Sequence, residues 1–419
     1  MAGTRTPTID APRLLGRLRE LGDTGRGADG ALSRVAASDA DKAARDLLVR
    51  WLEEADLDVT VDGIGNIFGT WRPAGCADVA PVMVGSHVDT VIDGGIYDGA
   101  YGVLAGLAVV EALQAAGVEA PSSIQRPVVV AAFTNEEGVR YAPDMMGSLA
   151  HVGGLDLDEA LRIVGTDGSR LGDELERIGY AGSMPLGAIQ PRAFLEIHIE
   201  QGPILEREGI RIGAVENLQG ISWQRITLGG VANHAGTTPT ALRHDAGLAA
   251  AKVITFLREL VDASGGSTVA TVGTLSFEPN AINVIPSQAI FTVDLRDPDN
   301  TRLTAAEETL RTFLDGLPES DGVTVSVERL VRFDPVLFDQ GLVEAIERSA
   351  HERGHSCRRM TSGAGHDAQM MARICPSAMV FVPSKDGISH NPREFTADDD
   401  LVAGAEVLLG TVWGLTRGD

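Results

Sequence analysis

The stretch Val82-Met-Val-Gly-Ser-His-Val-Asp-Thr90, followed by Tyr97-Asp-Gly-Ala-Tyr-Gly102, decides the fold of this chain. Its apolar start predicts a strand that ends at Gly85 and Ser86. His87 and Asp89 follow two residues apart, so in an extended chain their side chains point the same way. One of them could bind a cation while the other orients it.

Asp98 stands 11 residues after His87 and precedes an apolar segment, 103–113, that predicts a helix packed back on the strand. A strand end and a helix start thus bracket two side chains of metal-binding types. A His or Asp at the end of a strand is also often a turn or cap residue. This stretch alone leaves both interpretations open.

The composition limits the class of protein. A length of 419 residues predicts two domains, and an apolar content of 44% is enough to bury both cores. The net charge of -24 comes without a basic cluster, which argues against nucleic acid or an anionic membrane as partners. No apolar run approaches the roughly 18 residues of a membrane span, and residues 1–12 have no signal-peptide core. We therefore expect a cytoplasmic protein.

The three cysteines, Cys76, Cys357 and Cys375, are widely scattered. Their count is odd and they form no Cys-x-x-Cys pair, so neither a disulfide framework nor a thiolate zinc site is expected. Any metal ion would be held by histidine and carboxylate side chains. That donor set suits zinc, manganese, cobalt or nickel.

Hydrophobic patterning predicts an α/β catalytic domain, a mainly parallel sheet flanked by helices. The expected strands are an edge hairpin at 57–71 and strands at 82–84, 127–133, 194–199 and 378–382. The expected helices include 43–55, capped by Asp39 or Asp41, and 103–113, 341–354 and 398–415.

From about residue 213 the pattern changes to four strands and two helices, which predicts a small α+β, ferredoxin-like domain. Apolar α/β patterning resumes after it, so we interpret this domain as an insertion. The predicted organisation is a catalytic domain in two parts, 1–212 and 330–419, and an inserted domain, 213–329.

Polar side chains of metal-binding types follow several predicted strands. The carboxyl ends of parallel strands share one edge of a sheet, so these side chains can meet: His87, Asp98, Glu137, His198 and His390. Five such ligands suit two metal ions if Asp98 bridges them. Glu136, adjacent to a ligand, is then left to move protons. Taken singly, the Glu136-Glu137 pair could be a solvated turn and His198 a structural residue.

The predicted insertion carries three further polar residues, His234, Asn283 and Arg296, and Gly363 and Gly365 precede a short helix near the end of the chain. Each has an ordinary explanation as a turn residue, a solvated strand end or a flexible loop. For the three side chains we favour that explanation when each is taken alone, and the glycine loop alone is weak evidence.

Six motifs in order change this assessment. They are Gly85-Ser-His-Val-Asp-Thr90, Tyr97-Asp-Gly99, Asn135-Glu-Glu-Gly138, Glu196-Ile-His-Ile-Glu-Gln-Gly-Pro203, Asn233-His-Ala-Gly-Thr-Thr238 and Ile388-Ser-His-Asn391. Together they resemble the dinuclear zinc amidohydrolases of the hydantoinase/carbamoylase branch of the aminoacylase and carboxypeptidase-like metallopeptidases. That branch includes N-carbamoyl-L-amino-acid hydrolases, β-ureidopropionases and allantoate amidohydrolases. The resemblance runs from about residue 10 to the end.

The resemblance implies a site for two divalent cations, zinc first, with manganese, cobalt or nickel as alternatives. One ion would be held by His87, Asp98 and His198 and the other by Asp98, Glu137 and His390. Asp89 would orient His87, and Glu136 would act as general base and acid.

The resemblance also implies that the inserted domain is a lid and dimerisation domain of a homodimer, facing Gln201 across the substrate site. His234 would polarise the scissile carbonyl, Asn283 and Arg296 would hold substrate oxygens, and Gly365 would contribute through its backbone.

The expected reaction is hydrolysis of the ureido C–N bond of an N-carbamoyl-L-amino acid or a related small ureido acid, releasing amino acid, carbon dioxide and ammonia. Allantoate amidohydrolase and β-ureidopropionase activities are alternatives within the branch. More distant alternatives are an N-acyl-amino-acid deacylase or dipeptidase on the same scaffold, and a catalytically dead binding module.

Overall fold

The computed structural model describes residues 7–73, 76, 79–116 and 124–417. The chain divides into two units, one formed by 1–216 with 338–419 and the other by 217–337. Within the described ranges, no helix combines the length and the apolar character that a membrane crossing requires.

The strands in chain order are β1 Asp58–Val61, β2 Ile67–Trp71, β3 Val82–His87, β4 Val128–Phe133, β5 Ala193–Ile199, β6 Ile212–Leu218, β7 Gly220–Gly229, β8 Val269–Glu278, β9 Gln288–Asp297, β10 Thr324–Phe333, β11 Val336–Leu337, β12 Cys357–Ser362 and β13 Ser377–Val382.

The helices are α1 Ala11–Asp23, α2 Asp39–Glu54, α3 Ala100–Ala115, α4 Met146–His151, α5 Leu157–Arg162, α6 Leu171–Ile178, α7 Ile204–Glu208, α8 Ala246–Ala263, α9 Asn300–Asp321, α10 Gln340–Glu352, α11 Asp367–Met371 and α12 Asp398–Thr416. Two short 3-10 helices lie at Thr240–Leu242 and Lys385–Gly387.

The large sheet has the strand order β1-β2-β4-β3-β5-β13-β6-β11, and β12 also pairs with β6. The four central strands, β4, β3, β5 and β13, run parallel to one another. Every residue of these four strands is buried, so both faces of the sheet centre are covered. Their carboxyl ends therefore meet at one edge, where His87 pairs with Phe133 and His198 with Phe381.

Helix α3 packs against β3, α1 and α12, and is apolar almost all round. It can lie close to the sheet because of Gly102, where an added Cβ would stand 2.6 Å from the carbonyl oxygen of Ile197. The close approach fixes the start of α3, and therefore Asp98, next to the ends of β3 and β5.

The second unit has a separate four-stranded antiparallel sheet of order β10-β7-β9-β8. The chain order β7-α8-β8-β9-α9-β10 and this strand order define a ferredoxin-like fold. Its core is made by α8, α9 and alternate residues of the sheet, including Ile226, Phe291, Val293 and Leu310.

The predicted α/β class, with a mainly parallel sheet and an α+β insertion, is confirmed. Three local expectations differ from the structure. The cap of α2 is Ser38, whose Oγ accepts the N–H of Asp41 at 3.1 Å, and not Asp39 or Asp41. Strand β12 was not anticipated. Strand β6, at the start of the predicted insertion, pairs with β13.

Candidate metal centre

Five side chains of metal-binding types reach the carboxyl edge of the central strands. His87 is the last residue of β3, His198 lies near the end of β5, and Asp98 directly precedes the first turn of α3. Glu137 follows β4, and His390 lies in the loop between β13 and α12. The structure brings these residues together although they span three hundred positions of the chain.

Two groups of possible ligand atoms form at this edge. His87, Asp98 and His198 are all buried, and one donor atom from each lies within 4.8 Å of the others. Nε2 of His198 is 2.9 Å and Nε2 of His87 is 3.6 Å from Oδ1 of Asp98. The second group, Asp98, Glu137 and His390, satisfies the same limit.

Asp98 is shared, and it offers a different oxygen to each group. Its Oδ1 faces His87 and His198, whereas its Oδ2 lies 3.2 Å from Nε2 of His390. The same His390 nitrogen lies 3.4 Å from Oε2 of Glu137. Three imidazoles and two carboxylates arranged around one shared aspartate fit two divalent cations of the zinc type. Within the described part of the chain, no other group of three such side chains meets the distance limit.

Glu136 lies beside both groups without belonging to either. Its side chain is buried, and Oε2 is 3.4 Å from Nε2 of His87. A carboxylate in this position can exchange a proton with a group bound at the centre.

Asp89 was expected to orient His87, but its carboxylate lies closer to other groups. Nδ1 of His87 is 3.0 Å from the backbone oxygen of Asp89 but 3.9 Å from its Oδ1. The Asp89 carboxylate instead accepts the backbone N–H groups of Glu136 and Glu137, at 3.3 and 3.2 Å. Asp89 therefore holds the base candidate and a ligand candidate through their backbone.

The charges at this edge shift several pKa values. Burial raises the pKa of Glu136 well above its ordinary value, and burial together with Asp98 raises the pKa of Glu137 to about 7. Burial alone would lower the pKa of His87, but the carboxylates of Glu136, Asp98 and Asp89 outweigh it and raise that pKa. The hydrogen bond with Asp98 raises the pKa of His390 to about 9. Clusters of acids and imidazoles that shift one another's pKa values are typical of functional sites.

Several residues around the candidate metal centre have an unfavourable backbone conformation. Asn135, Gln201 and His390 have φ angles of 57°, 55° and 52°, in the left-handed region that side-chain-bearing residues seldom adopt. Gly99 has φ of 64°, and a Cβ there would lie 2.4 Å from the ring of His87. The close packing of the α3 start on His87 thus requires glycine.

Gln201 lies in the centre, with Nε2 donating to Oδ2 of Asp98 at 2.9 Å. Its Oε1 is buried and has no hydrogen-bond partner among the described residues. Gly365 lies in the loop before α11, with Met145 as the nearest neighbour of a hypothetical Cβ, at 3.1 Å. Its loop is braced by Ser362, whose Oγ accepts the N–H of Ala364.

The other three candidates, His234, Asn283 and Arg296, lie in the second unit. His234 and Asn283 occupy exposed, mutually hydrogen-bonded loops, with the N–H of Ala235 donating to the backbone oxygen of Asn283 at 3.0 Å. Nδ1 of His234 accepts the N–H groups of Gly236 and Thr237, so a neutral ring carries its proton on Nε2.

Arg296 lies within β9 and forms an ion pair with Asp294, whose Oδ2 is 2.9 Å from a terminal guanidinium nitrogen. Nε of Arg296 contacts both oxygens of the same carboxylate at 3.1 Å. The guanidinium is therefore held in a fixed orientation.

Sequence reasoning missed several buried residues around the centre. Glu394 and Ser389 contact the Asp98 segment, and Asp367 is a fully buried carboxylate. The ring of His366 lies 4.5 Å from that of His198, and its Nε2 has no partner among the described residues. Glu196 was not missed, because the two acids that flank His198 in the sequence, at 196 and 200, predict a carboxylate partner beside that ring; in the structure Glu196 is buried and accepts the hydroxyl of Ser86 at 2.6 Å. The other residues depend on tertiary contacts.

Residues 83–413 match the family described as Peptidase family M20/M25/M40. The chain belongs to this family. An N-carbamoyl-L-amino-acid amidohydrolase from Rhizobium meliloti is 39% identical, with the match covering 96% of each chain. A ureidoglycolate hydrolase from Arabidopsis thaliana is 33% identical over 97% of this chain and 86% of its own.

Among solved structures, a hydantoinase/carbamoylase family amidase from Burkholderia multivorans matches with 41% identity, a TM-score of 0.94 and coverage of 99% of each chain. The resemblance read from the six motifs is therefore confirmed, and this M20 family member is a hydrolase of amide bonds. The two ligand groups agree with the metal dependence of the family.

Proposed function

We propose that this M20 family member hydrolyses the ureido C–N bond of an N-carbamoyl-L-amino acid or a related small ureido acid. The observation that carries the proposal is the sharing of Asp98 by two ligand groups, with Glu136 beside them. Full-length similarity to an N-carbamoyl-L-amino-acid amidohydrolase supports the substrate class.

In this proposal His87, Asp98 and His198 hold one divalent cation, and Asp98, Glu137 and His390 hold the second. Zinc fits the imidazole and carboxylate donors, and manganese, cobalt or nickel are alternatives. Divalent cations held by these residues would supply Lewis-acid chemistry, which activates water and polarises a carbonyl group.

Glu136 accepts the proton of the water that attacks the carbamoyl carbon. The same carboxyl then donates this proton to the departing amine nitrogen, and the carbamate product decays to carbon dioxide and ammonia. Burial supports this role, because it raises the pKa of Glu136 well above its ordinary value and so makes the carboxylate a stronger base. The Asp89 carboxylate accepts the backbone N–H of Glu136 and so helps to fix the position of the Glu136 side chain.

We further propose that Gln201, His234, Asn283, Arg296 and the backbone of Gly365 bind the substrate. For His234, the proton on Nε2 supports donation to the oxygen that gains charge in the tetrahedral intermediate. For Arg296, the fixed planar guanidinium supports binding of a substrate carboxylate.

The second unit is proposed to act as a lid and to form a homodimer in the cytoplasm. Two exposed apolar side chains on the same face of its sheet, Trp223 and Val269, support self-association; they are 39% and 43% exposed.

The Arg296→Ala variant is expected to lose about 10–100-fold in kcat/KM for carboxylate-bearing ureides, mainly through KM, because it removes a charge-assisted contact worth roughly 1.5–3 kcal/mol. Steady-state kinetics on an N-carbamoyl amino acid and on its carboxamide test this. The matched control is Arg225→Ala, which removes an exposed arginine of the neighbouring strand that pairs with Glu328 at 2.6 Å. If both variants behave like the wild type on the acid, the anchor is another residue.

The proposed activity is tested by incubating the protein, loaded in turn with zinc, manganese or cobalt, with one amino acid in N-carbamoyl, N-acetyl and dipeptide forms. Ureidopropionate, allantoate and ureidoglycolate complete the panel, the last because of the similar plant hydrolase. Ammonia release from an N-carbamoyl amino acid is the expected result. Preferential hydrolysis of the N-acetyl or dipeptide form would contradict it, and inactivity on the whole panel would favour a binding module.

A further inference from the structure

We propose that Glu394 is a positioning residue that ties the Asp98 segment to the His390 loop and thereby sets the affinity for the cation held by Asp98, Glu137 and His390. This inference rests on the dinuclear centre of the proposed function. Glu394 touches no ligand atom of the centre, so it would act through its neighbours.

The Glu394 carboxylate joins two segments that are nearly three hundred residues apart in sequence. Its Oε1 accepts the backbone N–H groups of Tyr97 and Asp98, at 2.9 and 3.3 Å. Its Oε2 accepts the hydroxyl of Ser389 at 2.9 Å, and the Ser389 oxygen is also 3.2 Å from Oδ2 of Asp98. Each segment carries a ligand candidate, Asp98 in one and His390 in the other.

The carboxylate is built into the fold. Glu394 is only 7% exposed. Burial of a carboxylate destabilises the folded state unless its oxygens accept hydrogen bonds. Gly95 leaves the space that it occupies, since a Cβ at that position would lie 2.1 Å from Oε1 of Glu394. The chain before α3 is therefore shaped to admit this side chain.

The two cation positions depend on Glu394 to different degrees. His87 and His198 are placed by buried strands, and each side chain is 1% exposed. His390 lies in a loop, with a side chain 51% exposed and a φ of 52°. The Oδ1 atom of Asp98 is held by His198, whereas Oδ2 has Ser389, Gln201 and His390 as neighbours. Loss of Glu394 should therefore disturb the Oδ2 side of the centre first.

The test is calorimetric titration of metal-stripped protein with zinc, carried out on wild type, Glu394→Gln and Glu394→Ala. Loss of a residue that supports metal ligands typically weakens metal binding about 10–100-fold. Wild type should bind two ions. In the alanine variant one ion should bind about 10–100-fold more weakly and the other within about threefold of wild type, and the glutamine variant should lie between. If the alanine variant does not fold, the isosteric glutamine variant provides the test, with selective weakening of one ion as the expected result.

Glu200→Gln is the matched control. Glu200 is 8% exposed and accepts two backbone N–H groups, those of Ile204 and Leu205, both at 2.8 Å. It thus holds the start of α7 in the same way, and its two hydrogen bonds reach neither the Asp98 segment nor the His390 segment. We expect it to keep both zinc affinities while losing thermal stability as much as Glu394→Gln.

Three results would overturn the inference: unchanged affinities in both Glu394 variants, equal weakening of both ions, or the same selective loss in Glu200→Gln. A wild-type protein that binds fewer than two ions would instead contradict the proposed dinuclear centre. The two failures are thus distinguishable.

Discussion

Replacing Glu136 by Gln is expected to lower kcat by about 10²–10⁴-fold, the usual contribution of a positioned general acid or base, while the protein keeps both metal ions. The amide preserves the shape of the side chain but can neither accept a proton from water nor return one to the leaving nitrogen. Glu136 belongs to neither ligand group, so metal content should not change.

The measurement for this variant is kcat on the best ureide of the panel, together with the metal content of the same sample. Glu200→Gln serves as control, because it changes a buried glutamate near the same strand end without approaching His87. Near-normal turnover in Glu136→Gln would refute the acid and base role. Loss of metal together with activity would place Glu136 among the ligands.

Removal of the shared carboxylate in Asp98→Ala is expected to have the largest effect on metal binding. Asp98 presents one oxygen to each ligand group, so its loss should weaken both ions by at least about 10-fold and reduce activity below detection. Metal analysis after gel filtration and an activity assay in excess zinc measure the two effects.

The control for this prediction is Asp62→Asn, which changes another buried aspartate of the same unit. Asp62 accepts hydrogen bonds from Asn66 and Ile64 and lies in the turn between β1 and β2. It should lose stability but retain both ions. If Asp98→Ala still binds two ions, Asp98 does not bridge them.

The sequence predicted the sheet centre because its strands follow simple rules. Most of β3, β4 and β13 comes from the apolar runs 82–84, 128–133 and 378–382, as expected of strands buried on both faces, and each run is followed by polar or turn-forming residues. Placing their carboxyl ends at one edge was enough to predict that His87, Asp98, Glu137, His198 and His390 would meet. Their roles as ligands stay a prediction.

Features that depend on tertiary contacts could not be predicted in this way. Strand β12 has the mixed sequence Cys357-Arg-Arg-Met-Thr-Ser362 and is only partly buried, so it lacks both strand patterns. The role of β6 in the large sheet depends on its pairing with β13, which local periodicity does not contain. The cap at Ser38 lies one and three residues before the expected aspartates, within the usual uncertainty of a helix boundary predicted from sequence.

The same limit applies to the side chains around the site. A carboxylate near His87 in sequence suggested direct orientation of the ring, but the Asp89 carboxylate reaches the backbone of Glu136 and Glu137. Taken alone, Arg296 matched a solvated strand-end arginine, whereas it pairs with Asp294, which lies two residues earlier on the same face of β9. Glu394 carried no signal at all, because its partners Tyr97 and Asp98 are distant in sequence.

Anomalous diffraction from crystals of the zinc-loaded protein, collected on both sides of the zinc absorption edge, tests the central claim most directly. We predict two anomalous peaks on either side of the Asp98 carboxylate, one next to His87 and His198 and the other next to Glu137 and His390. A single peak, or peaks away from Asp98, would contradict the account.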